Sequence, residues 1–296
     1  PIVDASGRPV RIATVDALIA AAVPHAGEAP ASTDGVHARR AGRDAPTTAV
    51  IMAGGKGTRL RPLTQHTPKP MLDVAGRPLL EHTIERLRGA GIDRICISTN
   101  YLADLIIDHF GNGAGLGVSI SYLREDAPLG TAGCLGLLDP IPGGPVLVLN
   151  GDILTSVDFD AMRRFHDDNA AGLTVAVRNH KISVPFGVAE CEGVAIRSLV
   201  EKPTYSVLVN AGIYLIEPAL LRAIPRGASG PARFDMTELI DAARSPGAGF
   251  TAGPVCAFAV REYWLDIGQP GDYERAQREG PEVVVRPSLD QHRAAG

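Results

Sequence analysis

Thiols are few and scattered. Cys96, Cys134, Cys191 and Cys256 are the only cysteines in 296 residues, and none stands in a CxxC or other metal-type spacing. That excludes a cysteine-built metal centre. Cys96 and Cys256 lie in apolar runs and read as small core residues of a protein in a reducing cytosol. An excess of positive charge is missing too: 29 Lys and Arg stand against 33 Asp and Glu, a net charge of −4. Without a global cationic field no nucleic-acid partner is expected, and any anion site has to be local. No apolar run approaches the ~20 residues of a membrane-spanning helix; residues 145–149 are among the longest. The chain does not start with a basic-then-apolar secretion signal, so no membrane partner is expected and the reading is cytoplasmic. No repeat of fixed period is visible. His66, His82, His109 and His166 lack metal spacing and read as structural or solvent-facing. Residue 1 is proline rather than methionine, which reads as a piece of a longer product.

What is present is enough apolar matter for a core: 45% of residues, with a mean hydropathy of +0.07. The length suits one large α/β domain or two small ones. Residues 2–3 and 10–13 read as strands about a turn, and Val15, Leu18 and Ile19 as one face of a short helix. Residues 21–47, rich in Ala, Gly, Pro and polar side chains, carry no apolar period and read as a linker. From Thr48 onward strands and helices alternate. "TAVIMA", "DRICIST", "VSISYL" and "PVLVLNGD" are strands. "RPLLEHTIERLRGAG" is a helix with Pro78 near its first turn and Leu80, Ile84 and Leu87 on one face. "YLADLIIDHFG", "GTAGCLGLL" and "VDFDAMRRFHDD" read as helices. The fold class expected is α/β, a doubly wound and mostly parallel sheet, whose ligands sit at the C-terminal ends of the strands. Beyond Leu173 the chain turns strand-rich: "LTVAVRN", "GVAECEGVAIRSLVEKP" and "VNAGIYLI". Short helices follow near 218–224 and 236–243, then strands near 250–252 and 255–260, and a closing helix near 271–279. Residues 281–296 read as a frayed tail.

The segment "MAGGKGTRLRPLTQHTPKPM", residues 52–71, concentrates cations on a flexible, then rigid, backbone. Gly54, Gly55 and Gly57 let backbone N–H groups approach an oxyanion closely. Arg59 offers a forked donor to phosphate oxygens. Pro68 and Pro70 stiffen the chain around Lys69 and fix where its ammonium points. Phosphoryl and nucleotidyl transfer depend mostly on positioning and charge neutralisation, which such a loop supplies. Neither GxxxxGK[ST] nor GxGxxG is present, so this is neither a P-loop nor a dinucleotide fingerprint.

The whole string resembles the sugar-phosphate nucleotidyltransferases, whose signature is a glycine loop, "GTRLxPLT" and "PKPM". The resemblance continues in order through "EDAPLGTAG", "LNGD", "VPFGV", "EKP", "VNAGIY" and "YWLDIG", over residues 48–280. In detail it is most similar to the guanylyltransferase branch, which makes GDP-sugars. It implies a Rossmann-like sheet with a sugar-binding C-terminal half and a nucleotide site at Ala53, Gly54, Gly55, Gly57, Thr58, Arg59, Lys69, Glu125, Gly130 and Thr131. Arg59, Lys69 and Asp152 are the catalytic expectation. Asp152 and Asp266 are the family's metal positions, and two carboxylates brought together by a fold suit one Mg²⁺ that also touches phosphate oxygens. Gly187, Glu201, Lys202 and Asn210 correspond to the sugar-phosphate site. Glu125 and Gly130 match the base-reading pair. A carboxylate accepts only, and guanine presents two donors, so Glu125 favours GTP; an amide there suits uracil or thymine. Residues 1–20 resemble the end of a CBS motif, as precedes the catalytic domain in some bacterial members.

The expected reaction is transfer of a nucleotidyl group from an NTP, GTP favoured, to a hexose or amino-hexose 1-phosphate. A dTTP- or UTP-specific enzyme of the same chemistry and a non-catalytic sugar-nucleotide-binding subunit are the alternatives. Homo-oligomerisation is left open.

Overall fold

Thr48–Met52 is a run of small and β-branched residues with no polar face, which suits a strand covered on both sides. It becomes the centre of the sheet. In the computed structural model, which describes residues 2–3, 9–11, 47–227, 230–245 and 252–285, this strand (β1) lies parallel between Arg94–Thr99 (β2) and Val146–Asn150 (β4). Val50 faces Cys96 on one side and Val148 on the other. Ser119–Arg124 (β3) continues the parallel set outward from β2. Crossover helices Leu79–Gly89 (α1) and Ala103–Phe110 (α2) connect these strands, as parallel pairing requires. Leu80, Ile84 and Leu87 of α1 are fully buried against Ile51, Ile97 and Leu149 of the sheet.

On the other side the sheet turns mixed. Ile153–Thr155 (β5) follows β4, and Phe159–Asp168 (α4) starts on an Asp158 cap, whose carboxylate accepts the Ala161 N–H at 2.7 Å. Gly130–Gly133 (α3) is the short helix after β3, continued by a tighter turn over Cys134–Leu137. Leu173–Ser183 (β6) and Thr204–Ile216 (β9) are long, and β9 runs antiparallel to β4, with Ile213 opposite Leu149. Val255–Ala259 (β10) is the outermost strand, giving the order β10-β6-β9-β4-β1-β2-β3. Met236–Arg244 (α5) precedes it, and Trp264–Asp266 (β11) pairs antiparallel with β5. The closing helix, Pro270–Val285 (α6), runs on past residue 279 through 281–285.

The chain forms two units: one holds residues 47–176 and 211–285, the other Val177–Asn210 with the amino-terminal strands. The second consists of the outer ends of β6 and β9 and a hairpin, Val188–Glu192 (β7) with Ala195–Val200 (β8). The strand pair Ile2–Val3 and Pro9–Arg11 is antiparallel, as expected. The helix expected at 15–19, the linker over 21–46, the strand residues 250–251 and the tail beyond 285 lie outside the described residues.

The thiols differ from the sequence reading in one respect. Cys96 and Cys256 are only half-buried, and Cys134 is the enclosed one. The run that holds Cys96 alternates faces, and its Sγ lies 3.2 Å from Ser121 Oγ of the neighbouring strand. His82 and His166 are structural: His82 Nε2 meets the Val74 carbonyl at 2.7 Å, and His166 Nδ1 meets Thr174 Oγ1 at 2.8 Å.

Candidate active site

The glycine loop leaves the C-terminal end of β1 with Ala53 still tied to the sheet, its N–H donating to the Ser98 carbonyl at 2.9 Å. Two glycines then lie in close contacts. A Cβ on Gly54 would stand 3.0 Å from Glu125 Oε1, so the bare backbone is what lets the loop lie against that carboxylate. Gly57 takes φ +58°, and a Cβ there would stand 3.0 Å from Thr64 Cγ2 and 3.2 Å from Lys69 Cβ. Thr64 is fully buried and donates its hydroxyl to the Gly57 carbonyl at 2.7 Å. This closes the loop back on itself; Thr64 ends the "GTRLxPLT" string, but its structural role was not read from it. Gly55 has open space around it, while Lys56, Thr58 and Arg59 are exposed.

Lys69 sits in a tight turn framed by Pro68 and Pro70, with only 8% of its surface exposed. Its ammonium donates to Asp152 Oδ2 and stands 3.9 Å from Asp266 Oδ1. The two aspartates come from sequence positions more than a hundred residues apart. Register joins them: β11 pairs with β5 so that Asp266 faces Ile153, and the Ile267 N–H donates to the Asp152 carbonyl at 3.0 Å. Gly151 lets β4 end this close to the glycine loop, since a Cβ on it would meet the Met52 carbonyl at 2.9 Å. Burial is the largest influence on the Asp266 carboxyl and raises its pKa, helped by the charge of Asp152; Lys69 and Arg59 pull it down, and Asp272 pushes it up. Asp152 Oδ1 and Asp266 Oδ1 are buried and accept no hydrogen bond. Two hard, under-satisfied oxygens suit a divalent cation. Among the described residues no group of three or more His, Cys, Asp or Glu side chains could hold a metal ion.

Glu125, at the end of β3, is held from three sides. Its Oε1 accepts from the Ser98 hydroxyl, its Oε2 from the Leu129 N–H at 3.0 Å, and its carbonyl from Asn100 Nδ2 at 2.6 Å. Each carboxylate oxygen therefore has one lone pair engaged within the protein and one left. The Cys134 thiol lies in the same enclosure, its pKa pushed up to about 12 by burial and then by the charge of Glu125. Gly130 takes φ +80°, and both it and Thr131 touch the segment before α5, described below. Ser98, Asn100 and Asp235 are the partners that sequence reasoning missed: none falls in a motif, and each is linked to the loop only through the fold.

Gly187, Glu201, Lys202 and Asn210 all belong to the second unit. There the "EKP" turn folds onto "VPFG", with the Lys202 N–H donating to the Phe186 carbonyl at 3.2 Å and the Val184 N–H to the Pro203 carbonyl at 3.0 Å. A Cβ on Gly187 would stand 3.0 Å from Glu201 Oε2. Lys202 adopts φ +46°, a conformation rare for a side-chain-bearing residue and frequent where a backbone is held for function.

A parallel-centred sheet with its glycine loop at the carboxyl edge of a middle strand places the chain in the α/β class whose ligands sit at the strand ends. Residues 48–282 match the family described as nucleotidyl transferase. Mannose-1-phosphate guanylyltransferase of Mycobacterium tuberculosis is 34% identical over 251 residues, covering 83% of this chain and 68% of that protein. Mannose-1-phosphate guanylyltransferase catalytic subunit beta of Xenopus tropicalis is 34% identical over 233 residues, covering 76% and 62%. Among solved structures, HddC from Yersinia pseudotuberculosis complexed with GMP-PN superposes with a TM-score of 0.58 at 28% identity, over 79% of this chain and 99% of that one. The chain thus spans only about two thirds of the length of its curated relatives. It belongs to the nucleotidyl transferase family.

Proposed function

We propose that the chain transfers GMP from GTP to a hexose 1-phosphate, mannose 1-phosphate foremost, releasing pyrophosphate and forming a GDP-sugar. The observation that carries this is the convergence of Lys69, Asp152 and Asp266 beside a glycine loop. A phosphate oxygen of the sugar 1-phosphate attacks the α-phosphorus of GTP in line. The new P–O bond forms as the bond to the β-phosphate oxygen breaks, and pyrophosphate takes the electron pair. No side-chain base is needed, because a phosphate monoester is already anionic near neutral pH. Arg59 and Lys69 neutralise the triphosphate as charge builds on the leaving group. Mg²⁺ held by Asp152 and Asp266 would add charge neutralisation across the phosphates when bound. The glycine loop from Ala53 to Thr58 takes phosphate oxygens on its N–H groups. Glu125 and Gly130, with Thr131, take the base, and the free lone pairs of Glu125 suit the two donors of guanine. As the resemblance implies, Lys202 holds the acceptor's phosphate, while Glu201, Gly187 and Asn210 take sugar hydroxyls. A place in the cytoplasm is part of the same proposal; among the described residues no helix is long and apolar enough to cross a membrane.

The test is pyrophosphate release from each of the five common nucleoside triphosphates, with mannose 1-phosphate and glucosamine 1-phosphate as acceptors. GTP with mannose 1-phosphate is expected to be fastest. A preference for dTTP or UTP overturns the base assignment, and binding without turnover overturns the enzyme reading.

A further inference from the structure

One carboxylate reaches the base-side loop from a distant part of the chain. Asp235 Oδ1 accepts the Thr131 N–H at 3.0 Å and lies 3.4 Å from the Thr131 hydroxyl. That hydroxyl in turn accepts the Met236 N–H at 2.8 Å. The neighbouring carbonyl, Phe234 O, takes the N–H groups of Ala132 and Gly133, both at 2.9 Å, and the Phe234 N–H donates to the Leu129 carbonyl at 2.8 Å. The glycines at the contact are dictated by it. A Cβ on Gly130 would stand 2.6 Å from Asp235 Oδ1 and 2.7 Å from Phe234 O, and one on Gly133 2.7 Å from Ala232 O. At its other end Asp235 is the N-cap of α5, in a capping box with Glu238, whose Oε2 accepts the Asp235 N–H at 2.6 Å.

We propose that Asp235 is a positioning residue for nucleotide binding: it holds Gly130 and Thr131 in the conformation that presents their backbone to the nucleotide. The idea rests on the reading that these two residues face the base. In this role Asp235 acts through Gly130 and Thr131. It turns two short segments, the first turn of α3 and the first turn of α5, into one rigid corner, so nucleotide affinity depends on a residue 104 positions downstream of Thr131.

Titration calorimetry with GTP and Mg²⁺, without acceptor, tests this on the full chain. Asp235→Ala is expected to weaken GTP binding about ten-fold, the size of a lost hydrogen bond to a charged group, while the KM for the sugar 1-phosphate, read separately by pyrophosphate release, stays unchanged. Asp235→Asn keeps an acceptor oxygen and a good cap, and is expected to restore most of the affinity. Glu238→Ala removes the other arm of the capping box, so it should lower the melting temperature yet leave GTP affinity alone. If Asp235→Ala does not fold, Asp235→Gly, which costs a cap only a few tenths of a kcal/mol, takes its place with the same expectation. Equal losses of affinity in the Asp235 and Glu238 variants would reduce Asp235 to a helix cap and overturn the proposal. So would wild-type affinity in Asp235→Ala. A wild-type protein that binds no nucleoside triphosphate sinks the nucleotide reading itself, and the proposal with it.

Discussion

Lys69 is a cation taken almost wholly out of water, and it can be there only because Asp152 and Asp266 compensate it. The pairing works both ways. Removing the ammonium in Lys69→Ala leaves two crowded carboxylates with unmet acceptors. The cation-free protein should lose about 1–3 kcal/mol, below the range of a fully buried pair because Asp152 keeps 25% of its side chain in solvent. Adding Mg²⁺ should restore most of that stability in thermal melts, but turnover should stay down by at least about 100-fold, as for loss of a preorganised donor. Recovery of turnover with the metal would show that Lys69 only balances charge. Glu125 makes a second residue-scale case. In Glu125→Gln the amide oxygen can keep the Leu129 N–H, and the amide nitrogen can donate to a rotated Ser98 hydroxyl. The fold should therefore survive while the GTP preference over UTP and dTTP weakens; an unchanged preference in the pyrophosphate assay would take base reading away from this position. The thiols give a third. With its pKa pushed up to about 12, Cys134 should stay unmodified by iodoacetamide at about pH 8 until the protein unfolds, whereas exposed Cys191 should react promptly. Peptide mapping after alkylation distinguishes the two.

Among the elements, the glycine loop and the strands beside it were legible because their signals are local. A continuous apolar run makes β1, a 3.6-residue period makes α1, and glycine next to cation next to proline marks the loop that follows β1. The loop's partners were not legible. Ser98 and Asn100 are ordinary polar residues outside any motif, and only the pleat and register of β2 against β3 place them around Glu125. Gly130 shows the difference within a single residue. Its place in "LGTAG" implied a base contact, while its need for φ +80° and for no Cβ comes from the segment 232–235 lying over it. Gly130→Ala should consequently cost about 2–4 kcal/mol, combining left-handed strain with overpacking. A melting temperature within a degree of wild type would mean the corner relaxes freely. Which strands of the mostly parallel sheet pair antiparallel also escaped pattern reading. β4 and the buried end of β9 are both apolar runs, and nothing in either says that they pair antiparallel.

For the whole molecule, a net charge of −4 leaves ligand attraction to the local cations of one loop rather than to a surface field. GTP binding should show as stabilisation by mass action. At a hundred-fold excess over its dissociation constant, with Mg²⁺, GTP should add about 2.7 kcal/mol, or about 5 °C in melting temperature. Asp152→Asn should show much less of this shift, and an equal shift would remove that aspartate from the metal and phosphate site. By itself the sequence determined the α/β class, the ordered motifs and the chemical type of each candidate residue, because composition, period and short-range turn chemistry are written residue by residue. Only the tertiary structure decided that Lys69 is buried between two aspartates, that Glu125 is tied to Ser98 and Leu129, and that Asp235 accepts the Thr131 N–H. Those facts depend on strand register and on segments a hundred residues apart meeting in space, and no local pattern encodes such a meeting.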